Sequence, residues 1–112
     1  MDCLFCRIAA GEIPSKKLYE DEQVLAFYDI DPKAPVHFLV IPKQHMVSVD
    51  EVTPQNSASL AHIFEVIASV AKTLDLQKGY RVVTNIGEDG GQTVAHLHFH
   101  VLGGRPLAWP PG

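Results

Sequence analysis

The sequence predicts an α+β domain with a five-stranded antiparallel sheet, one long helix and a short N-terminal helix. Three observations predict the α+β class. Short apolar segments are bounded by Pro, Gly or Asp. One long segment has apolar residues at three- and four-residue spacing. The connections between segments are short, which favours an antiparallel sheet. The 112 residues, 46% hydrophobic and 20% charged, suit a single domain, residues 1–112, with one hydrophobic core.

The elements can be assigned in chain order. A short helix begins near Cys3 and is stopped by Gly11. Alternating or continuous apolar character between turn residues then predicts five strands. They cover residues 17–20, 24–29, 36–41, 81–85 and 95–102.

The long helix lies between the third and fourth strands. Thr53 is a suitable N-cap, Pro54 suits the first helical position, and Gly79 marks the exit. The helix should run to about Leu74, with one broad apolar face that can pack on a sheet or on a second copy of itself. That face consists of Leu60, Ile63, Phe64, Ile67, Val70, Ala71 and Leu74.

The last predicted strand carries His96, His98 and His100 at every second position, with apolar residues between them. Successive side chains of a strand point to opposite faces, so we expect three imidazoles on one face and the apolar residues in the core. A half-exposed strand with a polar outer face would show the same alternation. Three imidazoles in register, directly after a glycine-rich loop, favour a functional site, in which imidazole can be a nucleophile, an acid, a base or a metal ligand.

The loop before this strand contains Gly90, Gly91, Gln92 and Thr93. Glycines let backbone N–H groups approach an anion closely. A hairpin loop that only needs positive φ would also use glycine, but the neighbouring histidines favour phosphate binding.

Charge and hydropathy exclude several classes of function. The net charge of −4 and the pI of about 5.8 offer no basic face for a nucleic-acid backbone. No apolar run reaches the ~18 residues of a membrane span. The N-terminus is acidic and lacks the apolar region of a signal peptide. We expect a soluble cytoplasmic protein that binds neither nucleic acid nor membrane.

The heptad over residues 96–102 matches the His-apolar-His-apolar-His-apolar-apolar signature of the histidine triad (HIT) superfamily of nucleotide hydrolases and transferases. Residues 29–43, 90–93, 101–105 and 109–112 resemble its Hint branch, the histidine triad nucleotide-binding proteins that act as purine nucleoside phosphoramidases. The resemblance runs over essentially the whole chain. It implies a HIT-like fold and a homodimer whose two sheets join into one. It also implies cleavage of the P–N bond of nucleoside 5′-phosphoramidates through a nucleotidyl-histidine intermediate.

The resemblance implies roles for the catalytic residues. His98 is the nucleophile, which forms a covalent intermediate with the α-phosphorus. His100 contacts the scissile phosphate and its bridging atom, and His96 completes the triad. His37 is a supporting histidine that orients the triad. Thr93 stands where the Hint branch typically has a serine that donates to the leaving nitrogen, and threonine keeps that hydroxyl.

The resemblance also implies nucleotide contacts. Asp29 accepts the ribose hydroxyls, Asn85 lies near the phosphate and sugar, and Gln92 with the loop N–H groups holds phosphate oxygens. Trp109 reaches the other subunit's site. The apolar slot for a purine base consists of Leu4, Phe5, Ile8, Phe27, Ile30 and Leu39.

Cys3 and Cys6 form a single Cys-x-x-Cys pair, which is too few ligands for tetrahedral zinc. Some bacterial histidine triad proteins complete such a site with two histidines, which correspond here to His45 and His96. The resemblance therefore implies a structural Cys₂His₂ zinc site, with no cofactor for catalysis.

Three alternatives stay open from the sequence. The first is a dinucleoside polyphosphate hydrolase, although the ending Trp-Pro-Pro-Gly favours the Hint branch. The second is a nucleotide-binding scaffold dimer, against which the intact triad counts. The third, a zinc-dependent catalyst, is the least favoured, because four protein ligands leave no open coordination position.

Overall fold

The fold is described from a computed structural model over residues 3–112. The elements are helix α1 (Leu4–Ala9), strands β1 (Lys17–Glu20), β2 (Val24–Tyr28) and β3 (Val36–Pro42), a 3₁₀ turn (Val49–Glu51), helix α2 (Ser57–Thr73), and strands β4 (Tyr80–Val83) and β5 (Phe99–Gly103). The five strands form one antiparallel sheet in the order β1-β2-β3-β5-β4. The predicted fold class is confirmed. Met1 and Asp2 lie outside the described residues. Both belong to the predicted domain and to the N-terminus for which no signal peptide is expected.

The predicted strand over residues 95–102 is correct only in its second half, because β5 begins at Phe99. The backbone before it bonds to other partners. The Leu97 N–H donates to the Met46 carbonyl at 2.6 Å, and the Thr84 hydroxyl donates to the His98 carbonyl at 2.9 Å. His96 and His98 therefore lie in an irregular segment that leads into the strand. The expected alternation of faces is kept, since Leu97 and Phe99 pack in the core beneath α2.

Helix α2 begins three residues later than Pro54, the predicted first helical position. Thr53 does cap a turn, with its hydroxyl accepting from the Gln55 N–H and its carbonyl accepting from the Ser57 N–H. The backbone of Asn56, at φ −123° and ψ 0°, departs from helical angles, so regular α-helix starts only at Ser57. Strand β4 is likewise shifted, covering 80–83 instead of 81–85.

The sheet divides the core into two layers, which corrects the expectation of one core. Strand β3 has apolar side chains on both faces and pairs with strands on both sides. Phe38 and Val40 pack toward α2, and Leu39 and Ile41 pack toward α1. Burying each such side chain contributes roughly 1.5–3 kcal/mol. The α1 layer carries the histidines, so it is the layer that forms the site.

A polar cluster ties α2 to the turn after β1. The Asp21 carboxylate accepts hydrogen bonds from His62 Nε2 at 2.6 Å and from the Tyr19 hydroxyl at 2.8 Å. The hydrogen bonds to Asp21 and then to Glu65 raise the pKa of His62 above its usual value. The cluster holds the helix against the sheet on the face opposite the histidines.

Strand β4 is an edge of the sheet, and apolar side chains beside it remain exposed. Tyr80 and Val82 lie on this strand, and Phe64 of α2, 51% exposed, contacts Phe99 with its ring. Among residues 3–112 no helix has both the length and the apolar character that a membrane span requires.

Candidate active site

Four histidines cluster on the face of the sheet that α1 covers. His37 lies on β3, and His100 lies on β5 two residues from Leu102, the partner of His37. His96 and His98 directly precede β5. The ring centroids are 5.0 Å apart for His98 and His100, and 5.2 Å apart for His37 and His100. Phe5 of α1 presents a perpendicular ring to His98 at 5.0 Å. The fold thus brings the three triad histidines and His37 together.

The hydrogen bonds of His98 determine which of its nitrogens is free. Its Nδ1 lies 2.7 Å from the backbone carbonyl of His96. A carbonyl oxygen only accepts, so Nδ1 carries the hydrogen and donates it. In the neutral ring the lone pair is then on Nε2, which is the nitrogen that a nucleophile needs.

The hydrogens of His37 and His100 are fixed in the same way. The Lys33 backbone N–H donates to His37 Nδ1 at 3.0 Å, so neutral His37 carries its hydrogen on Nε2. That nitrogen lies 2.9 Å from His100 Nδ1, which therefore accepts and leaves the hydrogen of His100 on Nε2. His98 thus offers a lone pair, while the neighbouring His100 offers a donor.

Burial keeps both of these supporting rings neutral. It lowers the pKa of His37, against the opposing attraction of Asp29. Burial, together with the nearby His98 and His37, lowers the pKa of His100 to about 4. At pH 7 both rings are uncharged, so the hydrogen-bond directions of the neutral forms apply.

Asp29 lies at the end of β2 beside the histidines. Its Oδ1 accepts from the Asp31 N–H at 2.8 Å, and its Oδ2 lies 3.3 Å from His37 Nε2 and 3.9 Å from His100 Nδ1. This carboxylate and two imidazoles are close enough to suggest a metal site. The hydrogen on His37 Nε2 removes the lone pair that a metal would need, so the arrangement is a hydrogen-bond network.

A cavity of about 720 Å³ reaches this network through Asp29 and His37. Its volume lies in the range typical of small-molecule sites. The hydroxyl of Ser15, which lines the cavity, is buried and has no hydrogen-bond partner among the described residues. Residues 14–16 lie between the predicted short helix and the first predicted strand, and no local sequence pattern marks them as cavity residues. The rest of the lining consists of Pro14, Lys16, Tyr28, Ile30, Pro32 and Pro35.

Cys3, Cys6, His45 and His96 converge on one point, with their ligand atoms all within 4.8 Å of one another. His96 Nε2 donates to the Pro42 carbonyl at 2.8 Å, so its Nδ1 lone pair is free. Nδ1 lies 3.4 Å from Cys3 Sγ, 3.5 Å from Cys6 Sγ and 3.2 Å from the Nδ1 of His45. Zn–S and Zn–N bonds of about 2.3 and 2.0 Å in a tetrahedron give edges of roughly 3.3–3.8 Å. The donor set therefore fits a metal ion.

The glycine-rich loop is held by the side chain of Gln92. The Gln92 amide donates to the carbonyls of Val47 and Val94, and its oxygen accepts from the Gly87 N–H. A Cβ at Gly90 would clash with the backbone of Ile86, and Gly91 has a φ of +77°. The backbone conformation of the loop therefore accounts for glycine at both positions. Phosphate binding by this loop stays a prediction, and the Gln92 side chain is already engaged.

The other predicted contact residues differ in exposure. Phe5, Ile8, Phe27 and Leu39 are buried together in the α1 layer. Ile30 is fully exposed beside the cavity, Leu4 and Thr93 are exposed, and Asn85 is half-buried. Trp109 is 81% exposed, with the guanidinium of Arg81 lying 5.9 Å from its ring. A role for each of these residues in nucleotide binding stays a prediction.

Comparison with known proteins identifies the family. A HIT domain model matches residues 10–107. An uncharacterised HIT-like protein of Synechococcus elongatus is 50% identical over 111 residues, covering 99% of this chain and 97% of its own. A HIT family hydrolase of Legionella pneumophila superimposes with a TM-score of 0.97 at 47% identity, with 99% and 100% coverage. A histidine triad nucleotide-binding protein of Candida albicans superimposes with a TM-score of 0.84 at 35% identity, covering 97% of this chain and 83% of the Candida chain. Since the family model matches most of the chain and these relatives match nearly its whole length, the chain belongs to the HIT domain family.

Proposed function

We propose that this protein is a nucleotide hydrolase that cleaves the P–N bond of nucleoside 5′-phosphoramidates through a nucleotidyl intermediate on His98. The observation that carries the proposal is the opposite polarity of two neighbouring rings, with a lone pair on His98 Nε2 and a hydrogen on His100 Nε2. The names of the Legionella hydrolase and the Candida nucleotide-binding protein support the reaction type and the ligand class.

In the first step, His98 Nε2 attacks the α-phosphorus, a new N–P bond forms, and the bond to the leaving nitrogen breaks. The leaving nitrogen takes a hydrogen from the Thr93 hydroxyl, which is exposed and regains one from water. The ring of His98 becomes positively charged when it bonds to phosphorus, and the carbonyl of His96 stabilises that charge through Nδ1–H. Water then attacks the phosphorus and loses a proton to solvent, and the N–P bond to His98 breaks. This releases the nucleoside monophosphate and restores neutral His98.

His100 stabilises the charge that develops on the phosphoryl group. Its Nε2–H is a neutral donor, held in place by the hydrogen bond from His37 to Nδ1. Asp29, which lines the cavity, accepts the ribose hydroxyls, and the adjoining apolar residues receive the base. His100 is positioned by β5, and His98 is positioned by its hydrogen bond to the His96 carbonyl.

We propose that Cys3, Cys6, His45 and His96 hold a structural zinc ion, because two thiols and two imidazoles in a tetrahedral arrangement are the ligands that zinc prefers. When bound, the ion supplies a cross-link between α1 and the segment that leads into β5. Four protein ligands leave no position for water, so the ion takes no part in the chemistry.

We also propose that the protein is a homodimer in which the β4 edges of two copies meet. An unpaired edge strand with exposed Tyr80 and Val82, beside exposed Phe64, is a surface that proteins normally cover. Pairing of β4 with β4 of a second copy would extend the sheet across the dimer and cover these side chains.

Replacing His98 by alanine removes the nucleophile and should lower kcat for adenosine 5′-phosphoramidate on the order of 10⁴-fold. AMP should still bind with a Kd within about threefold of the wild-type value, because the contacts to the sugar and base remain. Steady-state kinetics and calorimetry measure the two effects. His62→Ala is the matched control, a histidine on the opposite face, and should keep full activity. Retained turnover in His98→Ala would exclude the mechanism. A diadenosine polyphosphate, assayed in parallel as a substrate, tests the substrate class.

Purified protein should contain about one zinc per chain by mass spectrometry of the metal. Cys6→Ser should lose most of it, and a strong chelator should lower the Tm of the wild type while leaving that of Cys6→Ser nearly unchanged. Less than about a tenth of an equivalent in the wild type, together with no thermal response to added zinc, would contradict a zinc site.

Sedimentation equilibrium should give twice the chain mass of 12.3 kDa. Val82→Lys places a charge at the proposed junction and should shift the equilibrium toward monomer. Val49→Lys, at nearly the same exposure but outside the sheet, should leave the dimer intact. A monomeric wild type at micromolar concentration would refute the dimer.

A further inference from the structure

One hydrogen atom in the site has two competing acceptors. His37 has a single N–H, on Nε2, because its Nδ1 accepts from Lys33. This N–H lies 2.9 Å from His100 Nδ1 and 3.3 Å from Asp29 Oδ2. The shorter distance favours His100, whereas the negative charge favours Asp29, since carboxylates are the stronger acceptors.

The choice between these acceptors changes the state of His100. While His37 donates to its Nδ1, His100 must keep its own hydrogen on Nε2, where it serves as a donor. When Asp29 takes the hydrogen bond instead, nothing in the network holds His100 in that tautomer. The side chains of His37, Asp29 and His100 are 4, 17 and 23% exposed. Water therefore screens their interactions only weakly, and the two hydrogen-bond arrangements differ in free energy.

The competing acceptor can be occupied by a ligand. Asp29 lines the cavity, and of its two oxygens Oδ1 already accepts from the Asp31 N–H. A vicinal diol that donates to the carboxylate would satisfy Oδ2 and weaken its hold on the His37 N–H.

We propose that the ribose diol of the substrate, by occupying Asp29, directs the His37 N–H to His100 and so increases the population of the donor tautomer of His100; this inference rests on the proposed function. Asp29 is then a specificity-determining residue that acts on the rate of phosphoryl transfer as well as on binding. The distinction is measurable, because an interaction used only for binding changes KM alone, whereas one that prepares the transition state changes kcat.

The test compares adenosine 5′-phosphoramidate with its 2′,3′-dideoxy analogue on the wild-type protein. Loss of the diol should raise KM and also lower kcat by about tenfold. His37→Gln is the diagnostic variant, since a side-chain amide has two hydrogens and can donate to Asp29 and His100 together. In this variant the kcat values for the two substrates should agree within about threefold, with the KM difference retained. Equal kcat values for both substrates in the wild type would overturn the inference.

A second readout separates this inference from the proposed function. Nitrogen-15 spectra of the histidine rings, recorded with AMP or with 2′,3′-dideoxy-AMP, report the tautomer of His100 without any turnover. AMP should increase the Nε2–H form of His100, and the dideoxy nucleotide should not. An identical response to both nucleotides would overturn the inference even if the enzyme is active. A protein that binds AMP with the expected change but cleaves no phosphoramidate would refute the proposed function alone.

Discussion

The site depends on the backbone carbonyl of His96, which can accept a hydrogen bond but cannot donate one. Its oxygen lies 2.7 Å from His98 Nδ1 and therefore requires the hydrogen there, which leaves the lone pair of His98 on Nε2. The proposed attack on phosphorus depends on this lone pair. The Lys33 N–H acts in the opposite sense, because it forces His37 to accept at Nδ1 and so sets the hydrogens of His37 and His100. Two backbone groups thus give opposite roles to chemically identical side chains.

His96 connects this chemistry to the rest of the fold. Its Nε2 donates to Pro42 at the end of β3, its Nδ1 faces the two cysteines and His45, and its carbonyl holds His98. An ion bound by these four side chains would fix the residue whose carbonyl orients the nucleophile. Burial lowers the pKa of His96, which favours the neutral ring that a metal ligand must be.

Much of the fold could be predicted because periodicity reports burial directly. The alternation through residues 96–101 places side chains on the correct faces of the sheet, and the predicted apolar face of α2 packs on the core except for the exposed Phe64. The start of β5 could not be predicted, because the carbonyl of His98 bonds to Thr84, a partner 14 residues away with no local signal. Nor could the engagement of Gln92 with Val47, which depends on how two loops meet. The convergence of Cys3, Cys6, His45 and His96 was expected from the resemblance alone, and the geometry agrees with it. The hydrogen bond from the Lys33 N–H and the place of Ser15 in the cavity lining have no signature in the sequence, because they arise only when the chain is folded.

The most direct test of this account is the tautomer of His98 in the free protein. Long-range proton–nitrogen NMR spectra of uniformly ¹⁵N-labelled protein at pH 8, where ordinary imidazoles are neutral, distinguish a protonated from an unprotonated ring nitrogen. We expect His98 to be protonated at Nδ1 and unprotonated at Nε2. A His98 ring with its hydrogen on Nε2 would contradict the account, because no lone pair would then be directed at the phosphorus.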